Sequence, residues 1–297
     1  VKNLEIETLK NLKNSKAYNT LRAYQADFKD FSAFCAKNGL NSLPSDPKII
    51  AIYLTHLSSF SKYSTLKRRL ASINVIHKLK GHYIDIKHPI ITENLMGIKR
   101  KMGVKQTAKK PLLINDLKSI IKVIDKEKNN SKRLQNKALL LIGFSGGFRR
   151  SELVSIEYDD LDFVTEGVKI IVRRSKTDQT GLGMTKAIPY FDNKDYCPVT
   201  SLKNWINFSK INNGKIFDIS DKTVALTIKK YALLAGLDHN RYAGHSLRSG
   251  FATSTAETGA DERSIMAMTG HKTTQMVRRY IQESNLFKNN ALKNIKI

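Results

Sequence analysis

The feature that most narrows the fold is a change of hydrophobic period part-way along the chain. From about Lys16 to Val104 apolar residues recur at three and four. The runs are Leu21, Tyr24, Phe28, Phe31 and Phe34; Ile49, Ile52, Tyr53 and Leu57, after Pro44 and Pro47; Leu66, Leu70, Ile73 and His77; and a shorter set, Leu95, Met96 and Ile98. Such spacing places each set on one helical face. Asn38-Gly39, Gly81 and Pro89 mark the breaks, so a small helical bundle is predicted. The period shortens only after Glu152. Residues 168–173 are β-branched and read as a strand, as do 186–189, and the polar, Gly-rich stretch 174–183 joins them as a hairpin loop. Helices are predicted around them: one over Leu117, Ile120, Ile121 and Ile124, capped by Asn115 or Asp116, and others over 132–144, 201–210 and 221–235. The expected fold class is therefore mainly α with a small antiparallel β-sheet. Its expected parts are an N-terminal helical domain (1–106), a polar, basic linker ending at Pro111 (107–111) and a second domain (112–297).

Two stretches of the second domain carry chemistry. In the first, the apolar run 139–142 enters Gly143-Phe144-Ser145-Gly146-Gly147-Phe148-Arg149-Arg150-Ser151-Glu152-Leu153. A paired-glycine break after a helix presents Arg149 at a sharp corner, where Glu152 can hold it or a neighbouring imidazole. In the second, His245 and Arg248 stand at i and i+3 and share a helical face. Gly270 can take the left-handed conformation that ends a helix, which places His271 at a turn and not in a core. Thr273 or Thr274 then caps a helix carrying Tyr280, nine positions beyond His271.

In the N-terminal domain, Ser64, Thr65, Lys67, Arg68 and Arg69 crowd one helix start. Hydroxyls and cations there suit phosphate oxygens, or form a solvated basic face. His77 reads as a half-buried core histidine.

Lys and Arg total 51 against 26 Asp and Glu, a net charge of +25 spread along the chain. That excess points to a polyanion, with DNA or RNA first. Cys35 and Cys197 stand far apart without partners at metal spacing, which gives neither a disulfide framework nor a zinc site. No apolar signal core, bilayer-length span or Walker-type phosphate loop is found, and a cytosolic address is expected.

Taken in order, G-G-F-R-R-S-E-L, S-K-T-D, H-S-L-R and G-H with a tyrosine nine later resemble the tyrosine recombinase (phage integrase) family. Together with the N-terminal part, the resemblance covers nearly the whole chain. It implies a SAM-like core-binding domain, acting as one jaw of a clamp on double-stranded DNA, and a catalytic domain. Arg149 and Arg248 would fork onto the scissile phosphate, His245 and His271 would hydrogen-bond to it and assist proton movement, and Glu152 would support the site. Lys176 would protonate the leaving 5′ oxygen. Tyr280 would be the nucleophile, forming a 3′-phosphotyrosine, itself a phosphodiester, so that rejoining needs neither ATP nor metal; no cofactor is expected.

The resulting expectation is a site-specific recombinase or integrase. The alternatives are a non-catalytic DNA-binding protein of the same fold and a type IB topoisomerase-like nicking-closing enzyme. Further expectations are a monomer in isolation, a tetramer on two DNA sites, no membrane association and a nucleoid-associated location in the cytoplasm. The tail with Leu286, Phe287, Leu292, Ile295 and Ile297 would fold back on its own domain or be exchanged between protomers. Gly146 stands where many relatives have Thr, which would loosen the corner.

Overall fold

The structure, a computed structural model, describes residue 7 and residues 18–103, 109–173, 183–271 and 273–285. The chain divides into two compact units, Val1–Thr107 and Ala108–Ile297.

In the first unit the helical periods become α1 (Tyr18–Lys37), α2 (Pro47–Ser58), α3 (Tyr63–Leu79) and α4 (Pro89–Met102). Asp46 starts α2 by accepting from the Lys48 N–H at 2.7 Å, with Pro47 set at the first helical position. Phe31, Tyr53, Leu54, Leu66, Ile73 and Ile91 meet in one buried cluster, each worth about 1.5–3 kcal/mol of burial. Ile52 and Met96, counted in the helical periods, lie on the outer face instead. Helix-periodic spacing tolerates a fourth or fifth apolar residue at the edge of the stripe.

A polar brace joins α3 to α1. Buried Asp27 accepts from the Ser72 hydroxyl at 2.7 Å and from the Arg68 guanidinium. Arg69 reaches Asp30 and the Tyr53 hydroxyl, and Tyr53 donates to Asp30 at 2.6 Å. Two of the cations that were candidates for phosphate contact, Arg68 and Arg69, therefore also tie these helices together. His77 is fully buried, not half-buried. Its Nε2 accepts from the Ser45 N–H at 3.1 Å, so Nδ1 carries the proton and donates to the Ile73 carbonyl at 2.8 Å.

The second unit holds a three-stranded antiparallel meander, β1 (Leu161–Val164), β2 (Gly167–Val172) and β3 (Met184–Pro189). Leu161 pairs with Ile170, and Val168 and Val172 pair with Ile188 and Met184. Val168, Ile170, Val172 and Ile188 point into the core by the two-residue alternation of strands. β1, with the short sequence LDFV, carries too little alternation to be legible beforehand. Around the sheet lie α5 (Ile114–Ile124), α6 (Asn130–Ser145), α7 (Arg150–Leu153), α8 (Pro198–Ser209), α9 (Asp221–Leu234), α10 (Ser246–Glu257), α11 (Glu262–Thr269) and α12 (Thr274–Asn285).

The expected cap of α5 is displaced. The helix begins at Ile114, and Leu113 precedes it without a side-chain cap. Upstream, the segment expected to end a linker is bonded into this unit: Lys110 N–H donates to the Arg241 carbonyl at 2.7 Å and Leu112 N–H to that of Ser246 at 2.9 Å. Gly250 makes that approach possible, because a β-carbon there would lie 1.9 Å from the Leu112 carbonyl oxygen.

Burial is the main cause that lowers the His77 pKa, so the neutral ring is native. The unfolded chain takes up this proton near pH ~6.5 while the native unit resists it. Stability is thus complete above that pH and declines as pH falls below it. Amide protection factors in α3 of the full chain are expected to drop between pH 7 and pH 5, and His77→Gln to flatten that dependence. Equal protection at both pH values in the parent chain contradicts this.

Candidate active site

Arg149 is delivered by the end of α6. The helix stops at Ser145, Gly147 turns the chain with φ 53°, and Arg149 is extended (φ −72°, ψ 150°) before α7 begins. The Arg149 N–H donates to Glu152 Oε2 at 2.9 Å and its Nη1 to Oε1 at 2.5 Å. One buried carboxylate therefore fixes both the backbone and the side chain of the same residue, and of the two partners expected for Glu152 it takes the arginine. Gly146 does not loosen this corner. The Phe148 ring fills the space, and a β-carbon at 146 would lie 2.0 Å from its Cε2.

Arg248 approaches from the first turn of α10 and is 1% exposed. Its Nη1 donates to the Gly147 carbonyl at 2.9 Å. Its Nε and Nη2 have no hydrogen-bond partner among the described residues. Burial lowers the guanidinium pKa to about 10, and Arg149 adds to this, while Glu152 and Tyr280 oppose it. Buried donors left unmet cost about 1–3 kcal/mol each, more when charged, so this arrangement favours an anion. His245 sits just before α10 with helical angles (φ −84°, ψ −12°) and is exposed.

Gly270 takes the left-handed conformation (φ 62°) and ends α11, as the sequence predicts. His271 follows at the turn but is buried, contrary to the expectation that a turn keeps it out of the core. Thr269 accounts for this. Its hydroxyl donates to the Ile265 carbonyl at 2.6 Å, leaving its oxygen to accept from His271 Nδ1 at 2.8 Å. The neutral ring therefore presents a bare Nε2. Burial, then the charges of Arg248, Arg149, His245 and Lys186, lower the His271 pKa to about 4.

Tyr280 lies on α12, half-buried against Ala252, Ala256, Ile265 and Val277. Its ring centroid is 6.2 Å from that of His271, with planes tilted by 34°. Arg149, His245, Arg248 and His271 line one cleft of about 730 Å³, together with Arg150, Lys229 and Asp221. An anion with several acceptor oxygens suits this lining. Among the described residues no group of three or more His, Cys, Asp or Glu gathers to hold a metal ion.

Lys176 lies outside the described residues. In the first unit, Ser64, Lys67 and Arg68 are exposed, Thr65 is half-buried and the Arg69 side chain is 18% exposed. Sequence reasoning missed Thr269 and Lys186. Lys186, on β3, is 1% exposed, its Nζ donating to the Gly146 carbonyl at 2.6 Å and to that of Met268. The available signal was register: Lys186 and Ile188 alternate on the inward face of one strand.

The pKa of about 4 keeps His271 neutral at physiological pH. Since that value lies below the ordinary ~6.5, the native state loses stability as pH falls from there through pH 4. Proton NMR of the His271 ring is expected to give a midpoint near 4, rising in Arg248→Ala. A midpoint at the ordinary value would contradict the geometry.

A sequence profile of the phage integrase family matches residues 110–286. The chain is 42% identical over 247 residues to an integrase/recombinase XerD homolog of Selenomonas ruminantium, covering 78% of this chain and 72% of that protein. It is 29% identical over 170 residues to tyrosine recombinase XerA of Pyrococcus horikoshii, covering 56% and 55%. Among solved structures, the XerH site-specific recombinase bound to palindromic difH substrate matches with TM-score 0.64 at 19% identity, over 84% of this chain and 71% of that one. A lambda integrase (75–356) dimer bound to a COC′ core site matches with TM-score 0.60 at 17% identity, over 99% and 98%. At such identities the structural likeness speaks for the fold. With its profile match and its Selenomonas relative, the chain belongs to the phage integrase family, the tyrosine recombinases.

Proposed function

We propose that this site-specific DNA recombinase breaks and rejoins strands through a 3′-phosphotyrosine on Tyr280, without ATP or metal. The observation that carries the reading is Arg248, a buried guanidinium with two unmet donors in a cleft shared with Arg149, His245 and His271. The non-bridging oxygens of a phosphodiester gain charge as the phenol oxygen attacks. Donors already fixed around them stabilise that charge with little reorganisation. Attack joins the Tyr280 oxygen to phosphorus and releases the 5′ oxygen, which takes a proton from Lys176. The phenol proton passes to an imidazole. His271 is suited to receive it, since Nδ1 is committed to Thr269 and Nε2 is bare. The incoming phosphate raises the basicity of that ring, and the resulting imidazolium then donates to the phosphate. His245 supplies the second imidazole contact, and Glu152 supports the site through Arg149. The reverse attack restores the phenol and the DNA backbone.

The N-terminal unit would serve as the second jaw of the clamp, with Ser64, Thr65, Lys67 and Arg68 at the start of α3 meeting phosphates. Arg69, committed to Asp30 and Tyr53, would contribute charge behind them. Assembly as a tetramer on two sites, with the segment after Asn285 lent to a neighbouring protomer, completes the proposal. A DNA substrate would put the work of this protein at the nucleoid.

Incubation with a library of nicked duplexes, followed by recovery and sequencing of protein-linked DNA, tests the reading. The parent chain is expected to form an adduct. Tyr280→Phe should bind duplex but form none, and Arg248→Ala should slow adduct formation roughly 10²–10³-fold. An adduct surviving in Tyr280→Phe would place the nucleophile elsewhere. Relaxation of supercoils without exchange between sites would favour a nicking-closing enzyme. Duplex affinity should fall steeply with salt, since many phosphates are neutralised; a flat response contradicts the clamp.

A further inference from the structure

Lys186 is a buried cation that the proposed chemistry leaves without a task. Its Nζ donates to two carbonyls at the C-terminal ends of two helices: Gly146, which closes α6, and Met268, in the last turn of α11. Helix C-termini carry orphan carbonyls and partial negative charge, and one ammonium here answers both. The Phe148 ring lies 4.5 Å from Nζ, a cation–π contact that covers the ammonium. The two carbonyls occupy matching places in the chain. Arg149 stands three residues beyond Gly146, and His271 stands three residues beyond Met268.

We infer that Lys186 is a positioning residue, whose ammonium bolts together the two helix ends that carry Arg149 and His271 and so sets the spacing of the phosphate-binding groups. The inference rests on the phosphate reading of the cleft. Direct proton donation to a leaving group does not fit, because Lys186 is 1% exposed, does not line the cleft, and commits two of its three ammonium hydrogens to Gly146 and Met268. Position in the fold supports the bolt. Lys186 belongs to the sheet, so the link fixes α6 and α11 to a third element, and β3 is the strand that follows the segment bearing Lys176. The charges facing it are Glu152, which favours the ammonium, and Arg248 and Arg149, which oppose it. With burial the largest cause, its pKa is lowered to about 7. A bound phosphate would shift that balance toward the ammonium, tightening the bolt as substrate arrives.

Lys186→Met keeps the apolar stem and removes the donors. On the same nicked-duplex library, it is expected to retain duplex within about twofold of the parent but to form adduct roughly 10- to 100-fold more slowly, the penalty of sub-ångström misplacement. Lys186→Arg should recover part of the loss. Without DNA, the His271 ring midpoint should rise in Lys186→Met, through lost charge and looser burial. An adduct rate within twofold of the parent, equal losses of binding and adduct, or an unmoved His271 midpoint overturns the assignment. Should the methionine variant not fold, Lys186→Gln takes its place under the same criteria. If the parent chain itself forms no adduct, the cleavage reading fails, and the His271 midpoint still decides whether Lys186 holds that segment.

Discussion

The hydrogen bond from Arg248 to the Gly147 carbonyl is the contact on which the rest of the site depends. It commits one nitrogen of a buried guanidinium to the glycine corner and leaves two others without partners among the described residues. That bond ties α10 to the end of α6, which also delivers Arg149, so the two arginines are set by one turn of backbone. Glu152 completes the corner by holding Arg149 at both its N–H and its guanidinium. The arrangement is costly in isolation, because burial and like charge both act against it. An anion bearing several oxygens relieves both.

The electrostatics of the cleft follow from that crowding. Arg248, His271 and Lys186 all have lowered pKa values, each chiefly from burial and then from its positive neighbours. Buried Glu152 partly offsets this for Arg248 and Lys186. Such a set suits an anion, since donors already fixed in place need not move to meet it. Thr269 adds a finer control by choosing which His271 nitrogen carries the proton.

Much of this was legible in the sequence, for particular reasons. Helical spacing is long-range and redundant, so α1 to α4 could be read from their apolar stripes, apart from Ile52 and Met96 on the outer face. Gly270 could be read because a left-handed turn strongly favours glycine. The burial of His271 could not, because it comes from Thr269 and the elements packed around it, which share no periodic signal. Lys186 was hidden in a strand as an ordinary charged residue; its two carbonyl partners lie 40 and 82 residues away. Arg68 and Arg69 looked like a basic helix face because the carboxylates they meet, Asp27 and Asp30, sit on a separate helix. Pairings across the fold are what a one-dimensional reading lacks.

The unmet donors of Arg248 suit a tetrahedral oxyanion. Crystals of the full chain soaked in tungstate, with the anomalous signal of tungsten located, would show whether those nitrogens take such an anion. A peak is expected in the cleft, with oxygens at about 2.7–3.1 Å from Arg248 Nε and Nη2 and Arg149 on its other side. Tungstate bound elsewhere, with those two nitrogens bonded to protein groups, would contradict it.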